Sequence, residues 1–249
     1  MTVSEAGEST FQGVLDEALL RPVRSGNAFE DTVARLLQTV RLGMVRPGEA
    51  LPPERDLASR FSVSRDTVRE AIRSLADSGF LVSKRGRYGG TFVSSTLPTR
   101  TAFDLSHGPP PSAAEIEDVL GLREILELGA VRAAARRSLS ATDRDTLWTR
   151  LKETAAASIT DYRRLDSRLH LAIGELVGTP SLVSLLADNR TRVNELLGYI
   201  PLLAPNIEHS NDQHEAIVVA ILTGDDNRAA EAMGEHLEGS AALLRGFLS

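Results

Sequence analysis

Leu57-Ala58-Ser59-Arg60-Phe61-Ser62-Val63-Ser64-Arg65-Asp66-Thr67-Val68-Arg69-Glu70-Ala71-Ile72 decides the fold of the first part of this 249-residue chain. Two helices crossing at a tight turn need a small residue on the first where the second passes, and Ala58 is placed for that. The turn needs a compact buried residue, here Val63. The second helix needs apolar anchors on its inner face, and Val68, Ile72 and Leu75 recur at helical spacing. No packing demand explains its outer face: Ser64, Arg65, Asp66 and Thr67 at the start, then Arg69 one turn on.

Upstream, Phe29, Val33, Leu36, Leu37, Val40 and Met44 predict a helix of about 15 residues, ended by Gly43 and Pro47-Gly48. Pro52 and Pro53 set an extended approach, and Glu54 opens a short helix through Phe61. Downstream, the helix begun by Arg65 runs to about Ser78 and stops at Gly79. Phe80 to Ser83 and Thr91 to Ser94 read as strands around the basic, glycine-rich tip Lys84-Arg85-Gly86-Arg87-Tyr88-Gly89-Gly90. Three helices and a two-stranded wing make a winged helix-turn-helix over residues 27 to 97. Residues 1 to 26 read as a tail with one short amphipathic piece, Phe11 to Leu20.

Such a module reads DNA with the first residues of its second helix. Arg65 and Arg69 are candidates for bidentate contact with guanine N7 and O6. The hydroxyls of Ser64 and Thr67 and the helix N-terminus suit phosphate. Three roles are open to Asp66: accepting from a cytosine amino group, capping the helix, or orienting Arg69. Arg55 is placed for a phosphate or groove contact, and Arg85 and Arg87 for the minor groove or phosphates, with Gly86 permitting close approach.

The net charge of -6 divides unevenly. Residues 27 to 100 carry 12 Arg or Lys against 8 Asp or Glu, whereas residues 101 to 249 carry 14 against 22. One basic end is what a chain needs when only that end faces phosphate. The absence of cysteine excludes disulfides, thiolate metal sites and cysteine nucleophiles. No apolar run approaches the roughly 20 residues of a membrane span, and the start of the chain lacks a signal peptide's basic end and apolar stretch. A cytoplasmic protein that does not engage a membrane is expected.

Residues 98 to 112, with Pro109-Pro110-Pro111, read as a stiff linker. Beyond it the pattern is helical throughout, over about 113 to 138, 141 to 158, 161 to 177, 181 to 199, 206 to 223 and 226 to 247. Short connections between helices imply an antiparallel bundle over residues 113 to 249, making the protein mainly α. Asp166 and His170 lie four apart on one helix and share a face, while His214 and His236 fall on two later helices. One carboxylate and three imidazoles suit a divalent first-row metal, although such spacing alone also describes hydrogen-bonded structural histidines. A metalloenzyme is disfavoured: His214-Glu215 is not followed by a second histidine at position 218, which is Val, and no triad or carboxylate pair stands out.

Leu51-Pro-Pro-Glu-Arg-Asp-Leu-Ala, Val63-Ser-Arg-Asp-Thr-Val-Arg-Glu-Ala-Ile72 and Gly89-Gly-Thr-Phe-Val93 closely resemble the GntR family of bacterial regulators. The resemblance implies a homodimer on a double-stranded, inverted-repeat operator, with Arg55, Arg65, Thr67, Arg69 and Gly86 at positions that usually contact DNA. Ser62 departs mildly from the glycine common in such turns. Leu165-Asp-Ser-Arg-Leu-His170, and His214 to Asp225 followed by Ala229, Ala232, Met233 and His236, resemble the FCD domain of the FadR-type subgroup. That implies a metal, such as zinc, nickel or manganese, on Asp166, His170, His214 and His236, and a small organic-acid effector. It also implies dimerisation and effector binding by this domain in a metabolite-responsive repressor rather than an enzyme. Arg123 matches an arginine common in the domain's first helix, and pairing with an acidic effector, with Glu124 or with Glu127, or a plain surface role, would each account for it.

Overall fold

The computed structural model describes residues 25 to 41, 45 to 84, 86, 89 to 98 and 111 to 248. Phe11 to Leu20, Gly43, Met44, Arg85, Arg87, Tyr88 and linker residues 99 to 110 lie outside the described residues. The described residues fall into two compact units, one running up to residue 98 and taking in Arg245–Phe247, the other running from residue 111 to Leu244 with Leu248.

In the first unit, α1 (Ala28–Arg41) packs on α3 (Arg65–Asp77), with α2 (Glu54–Phe61) also against α3. Val33, Leu36 and Leu37 of α1 and Val68, Ala71 and Leu75 of α3 are wholly buried, so the apolar spacing becomes the core. Ala58 is buried and its carbonyl accepts from the Val63 amide at 3.1 Å, closing the turn. Val63 itself is only half-buried. Ser62 adopts φ 56° and ψ 40°, the left-handed region in which a Cβ crowds the following carbonyl. Its departure from glycine therefore carries backbone strain.

Strands β1 (Leu81–Lys84) and β2 (Gly90–Val93) pair antiparallel with Leu81 opposite Val93, both buried. The other edge of β2 is used as well. Val93 donates to Glu49 O at 2.9 Å and accepts from Gly48 N at 2.9 Å, while Leu51 donates to Thr91 O at 2.8 Å. The extended approach to α2 is thus a third backbone segment of the wing, and it ends where Pro52 offers no N–H.

The second unit comprises α4 (Ala113–Ala135), α5 (Ala141–Ala155), α6 (Tyr162–Leu176), α7 (Pro180–Gly198), α8 (Ala204–Thr223) and all of α9 (Asp226–Leu248) but Arg245–Phe247. Ser112–Glu115 and Ser140–Asp143 form capping boxes that start α4 and α5. Helices α4 and α5 each end three residues earlier than the sequence pattern predicts. Helix α4 stops at Ala135, after which Arg137 donates to Val177 O at 2.5 Å. Helix α5 stops at Ala155 because Ser158 turns the chain into α6, its hydroxyl accepting from Asp161 N at 3.3 Å. Arginines close helix ends: Arg163 donates to Leu197 O at 2.5 Å and Arg144 to Leu222 O at 2.8 Å. Val131, Ala134, Leu147, Val218 and Ala229 form the fully buried centre. Among the described residues, no helix is long and apolar enough to cross a membrane.

Candidate functional site

The first surface of interest is the start of α3. Ser64 caps the helix, its hydroxyl accepting from Thr67 N at 3.0 Å and lying 2.8 Å from Thr67 Oγ1. That removes the capping role from Asp66. Instead Asp66 Oδ1 accepts from Arg69 Nη1 at 2.8 Å, and Glu54 Oε2 of α2 lies 3.3 Å from Arg69 Nη2. Asp66 therefore orients Arg69. Arg65 and Arg69 remain exposed, as does Arg55, whose Nε lies 3.4 Å from Asp56 Oδ1. Exposed pairs of this kind are weak, so these guanidinium groups can be exchanged to nucleic acid at little expense. Gly86 is exposed at φ 106°, a conformation that keeps this position free of a side chain.

The second site is buried in the bundle. Asp166 and His170 of α6, His214 of α8 and His236 of α9 place one ligand atom each within 4.8 Å of one another, and all four residues are buried. Two ligands of one ion at metal–nitrogen distances of about 2.0–2.1 Å lie at most about 4.2 Å apart, so a small contraction gathers the set. The buried His170 Nε2 and both ring nitrogens of His214 have no hydrogen-bond partner among the described residues. Unpaired buried imidazoles facing a carboxylate fit a cation better than a polar core.

Surrounding side chains orient these groups. Glu127 Oε2 pairs with His170 Nδ1, which leaves Nε2 toward Asp166 Oδ1, 3.7 Å away. Arg190 Nη2 donates to Asp166 Oδ2, so only Oδ1 is left for the centre, where it lies 3.3 Å from His214 Nε2. His236 Nδ1 lies 3.3 Å from Gln213 Oε1, an arrangement that frees Nε2. Glu127 Oε1 accepts from Arg123 Nε at 3.1 Å and lies 3.5 Å from Arg190 Nη1. Arg123 also donates to Ser240 Oγ at 2.7 Å, so of the alternatives for this residue the Glu127 pair is made.

Charge follows this geometry. Burial raises the pKa of Asp166, but Arg190 and then His170 more than reverse it, holding the carboxyl well below its usual range. Glu127 is likewise held well below, burial being overcome by His170 and Arg123. Burial lowers His214 and His236, and the neighbouring histidines depress His236 further, so both are neutral as metal ligands must be.

Neither Glu127 as the His170 partner nor Arg190 stands out in the sequence reading. One signal for Arg190 is present: it occupies the apolar stripe of α7 between Leu186 and Val193, where a guanidinium must find carboxylates.

Comparison with known proteins finds a family match in each half of the chain. Residues 29–93 match the model for bacterial regulatory proteins of the gntR family, and residues 118–239 match the FCD domain. The Uxu operon regulator of Haemophilus influenzae is 30% identical over 82% of this chain and 76% of its own. The HTH-type transcriptional repressor NanR of Cronobacter sakazakii is 30% identical over 87% of this chain and 85% of its own. A solved Streptococcus agalactiae GntR structure is 25% identical, covering 86% of this chain and 98% of that one at a TM-score of 0.46. The chain belongs to the gntR family of bacterial regulatory proteins, in the branch carrying an FCD domain, and is a DNA-binding transcriptional regulator rather than an enzyme.

Proposed function

We propose that the chain is a metabolite-responsive repressor of the cytoplasm that binds an inverted-repeat operator as a homodimer and holds a metal-assisted site for a small carboxylate effector. The convergence of Asp166, His170, His214 and His236 from three helices carries the sensing half. These residues would hold zinc, nickel or manganese. When bound, the ion supplies a positive centre for a carboxylate oxygen. Formal charge supports the same ligand class. Asp166 and Glu127 balance Arg123 and Arg190, and imidazoles ligate a metal only in their neutral form, so a dication's charge would be left for an anion to meet. Arg123, held in place by Glu127 and Ser240, is the further residue assigned to the effector site.

In the DNA half, Arg65 and Arg69 read bases, with Asp66 setting the Arg69 fork. Ser64, Thr67, Arg55 and the wing residues Arg85, Gly86 and Arg87 position the helix on the backbone. Coupling is a population shift: the acid favours one arrangement of the dimer, and arrangements differ in how well two reading helices meet two half-sites.

Selection of duplexes from a random library with full-length, zinc-loaded protein tests this reading. An inverted repeat is expected, and at least one of a panel of metabolite acids should change affinity for it only while metal is bound. An asymmetric site, or an acid response that survives complete chelation, would contradict it.

A further inference from the structure

Asp166 is the member of the cluster that can bind an ion in two ways, through a single oxygen or through both. Arg190, on α7, decides between them. Its Nη2 donates to Asp166 Oδ2, and its Nη1 lies 3.5 Å from Glu127 Oε1. Glu127 in turn pairs through Oε2 with His170 Nδ1. One planar guanidinium therefore joins the oxygen ligand of α6 to the carboxylate that orients the nitrogen ligand one turn later on the same helix. Arg190 is among the largest fully buried side chains, so leaving Asp166 would strand its charge in the interior.

Ser167 supports the same placement. It gives its hydroxyl hydrogen to Arg163 O at 2.8 Å, so toward Arg190 Nη2, 3.4 Å away, it presents a lone pair. Nη2 thus faces two acceptors, and Asp166 Oδ2 has its donor. Oδ1 is the oxygen left toward the histidines, 3.3 Å from His214 Nε2 and 3.7 Å from His170 Nε2.

We infer that Arg190 sets the metal selectivity of the cluster: by occupying Oδ2 it confines Asp166 to one-oxygen binding, so that the site takes zinc or nickel in preference to manganese. This rests on the metal-site reading above. Three imidazole nitrogens and one carboxylate oxygen make the four donors that satisfy zinc. Imidazole-rich sets suit nickel as well, whereas manganese is served by oxygen donors, and Arg190 withholds one. Nitrogen ligands favour zinc over manganese in any case, so the inference concerns the part of that preference which depends on Arg190.

Competitive titration of the metal-free, full-length chain with zinc and with manganese, each against a chromophoric chelator, tests the inference in wild type, Arg190→Met and Arg190→Lys. Removing a positive charge raises affinity for both ions and a looser fold lowers both, so their ratio isolates the freed oxygen. The zinc-to-manganese affinity ratio should fall about tenfold or more in Arg190→Met. Arg190→Lys, which keeps a donor for Oδ2, should return the ratio toward the wild-type value, as a merely structural loss would not. If the methionine variant loses its cooperative melt, a crystal structure of the zinc-loaded wild type decides: one Asp166 oxygen on the ion and the other on Arg190 is expected. An unchanged ratio in Arg190→Met, no return with lysine, or both Asp166 oxygens on the wild-type ion would overturn the inference and leave the metal site standing. A wild type that binds neither ion would overturn both.

Discussion

Arg69 and Arg190 each sit between two carboxylates, and there the likeness ends. Arg69 lies between Asp66 and Glu54 with side-chain exposures of 48%, 88% and 32%. Arg190 lies between Asp166 and Glu127 with exposures of 2%, 11% and 2%. Water screens the first set, which keeps its charges available for DNA. The second set has lost its hydration and is held by mutual attraction, so it fixes positions instead of exchanging partners. The same residue types thus serve recognition at one place and preorganisation at the other, and solvent decides which.

Removing one charge from each set breaks the comparison most sharply. Arg190→Met leaves Asp166 and Glu127 short of a partner in the interior and should destabilise the bundle by about 3–5 kcal/mol, read by urea denaturation of metal-free protein. Arg69→Ala should change stability by less than about 1 kcal/mol in the same assay. Similar losses in both would show that burial does not separate them. For DNA the ranking reverses. Arg65→Ala and Arg69→Ala should each weaken binding to a selected operator by about 1–3 kcal/mol and relax one position, while non-specific affinity falls little. A uniform loss would reduce both residues to phosphate contacts.

Much of this was legible in residue spacing. The pattern from Leu57 to Leu75 predicts helices, turn and reading face together, because each packing need has one residue type that meets it. Spacing and helix order already grouped Asp166, His170, His214 and His236 as candidate ligands, but only the resemblance favoured metal over hydrogen-bonded structural histidines, since a spacing of four on α6 says nothing about how close α8 and α9 come. Glu127 and Arg190 were not legible as partners, because long-range ion pairs leave no period in a sequence. Pairing of residues 48 to 51 with β2 was hidden for a similar reason: Gly48 and the prolines after Leu51 mask a strand edge that uses backbone groups alone.

Smaller effects sharpen the contrast further. The capping boxes belong to the exposed class: hydrogen bonds from the backbone and hydroxyl of Ser112 lower the Glu115 pKa, and those from Ser140 lower that of Asp143. Their stabilisation is present above the unfolded pKa and lost as pH falls through the lowered folded value. Ser112→Ala or Ser140→Ala should remove about 1 kcal/mol in urea melts at neutral pH, and less in acid. Smallest of all, Ser62→Gly relieves the left-handed turn and should raise stability by less than about 1 kcal/mol, the larger entropy of unfolded glycine offsetting part of the gain. A loss on this change would mean that the turn is not strained.

Metal analysis of the chelator-stripped full chain, after dialysis against zinc, nickel or manganese, bears most directly on the buried centre. One ion per chain should be retained by the wild type and lost from His214→Ala, whose fold is checked by its melt. A wild type that retains no ion, or a His214→Ala variant that keeps a full equivalent, would contradict the assignment of Asp166, His170, His214 and His236 as a metal site.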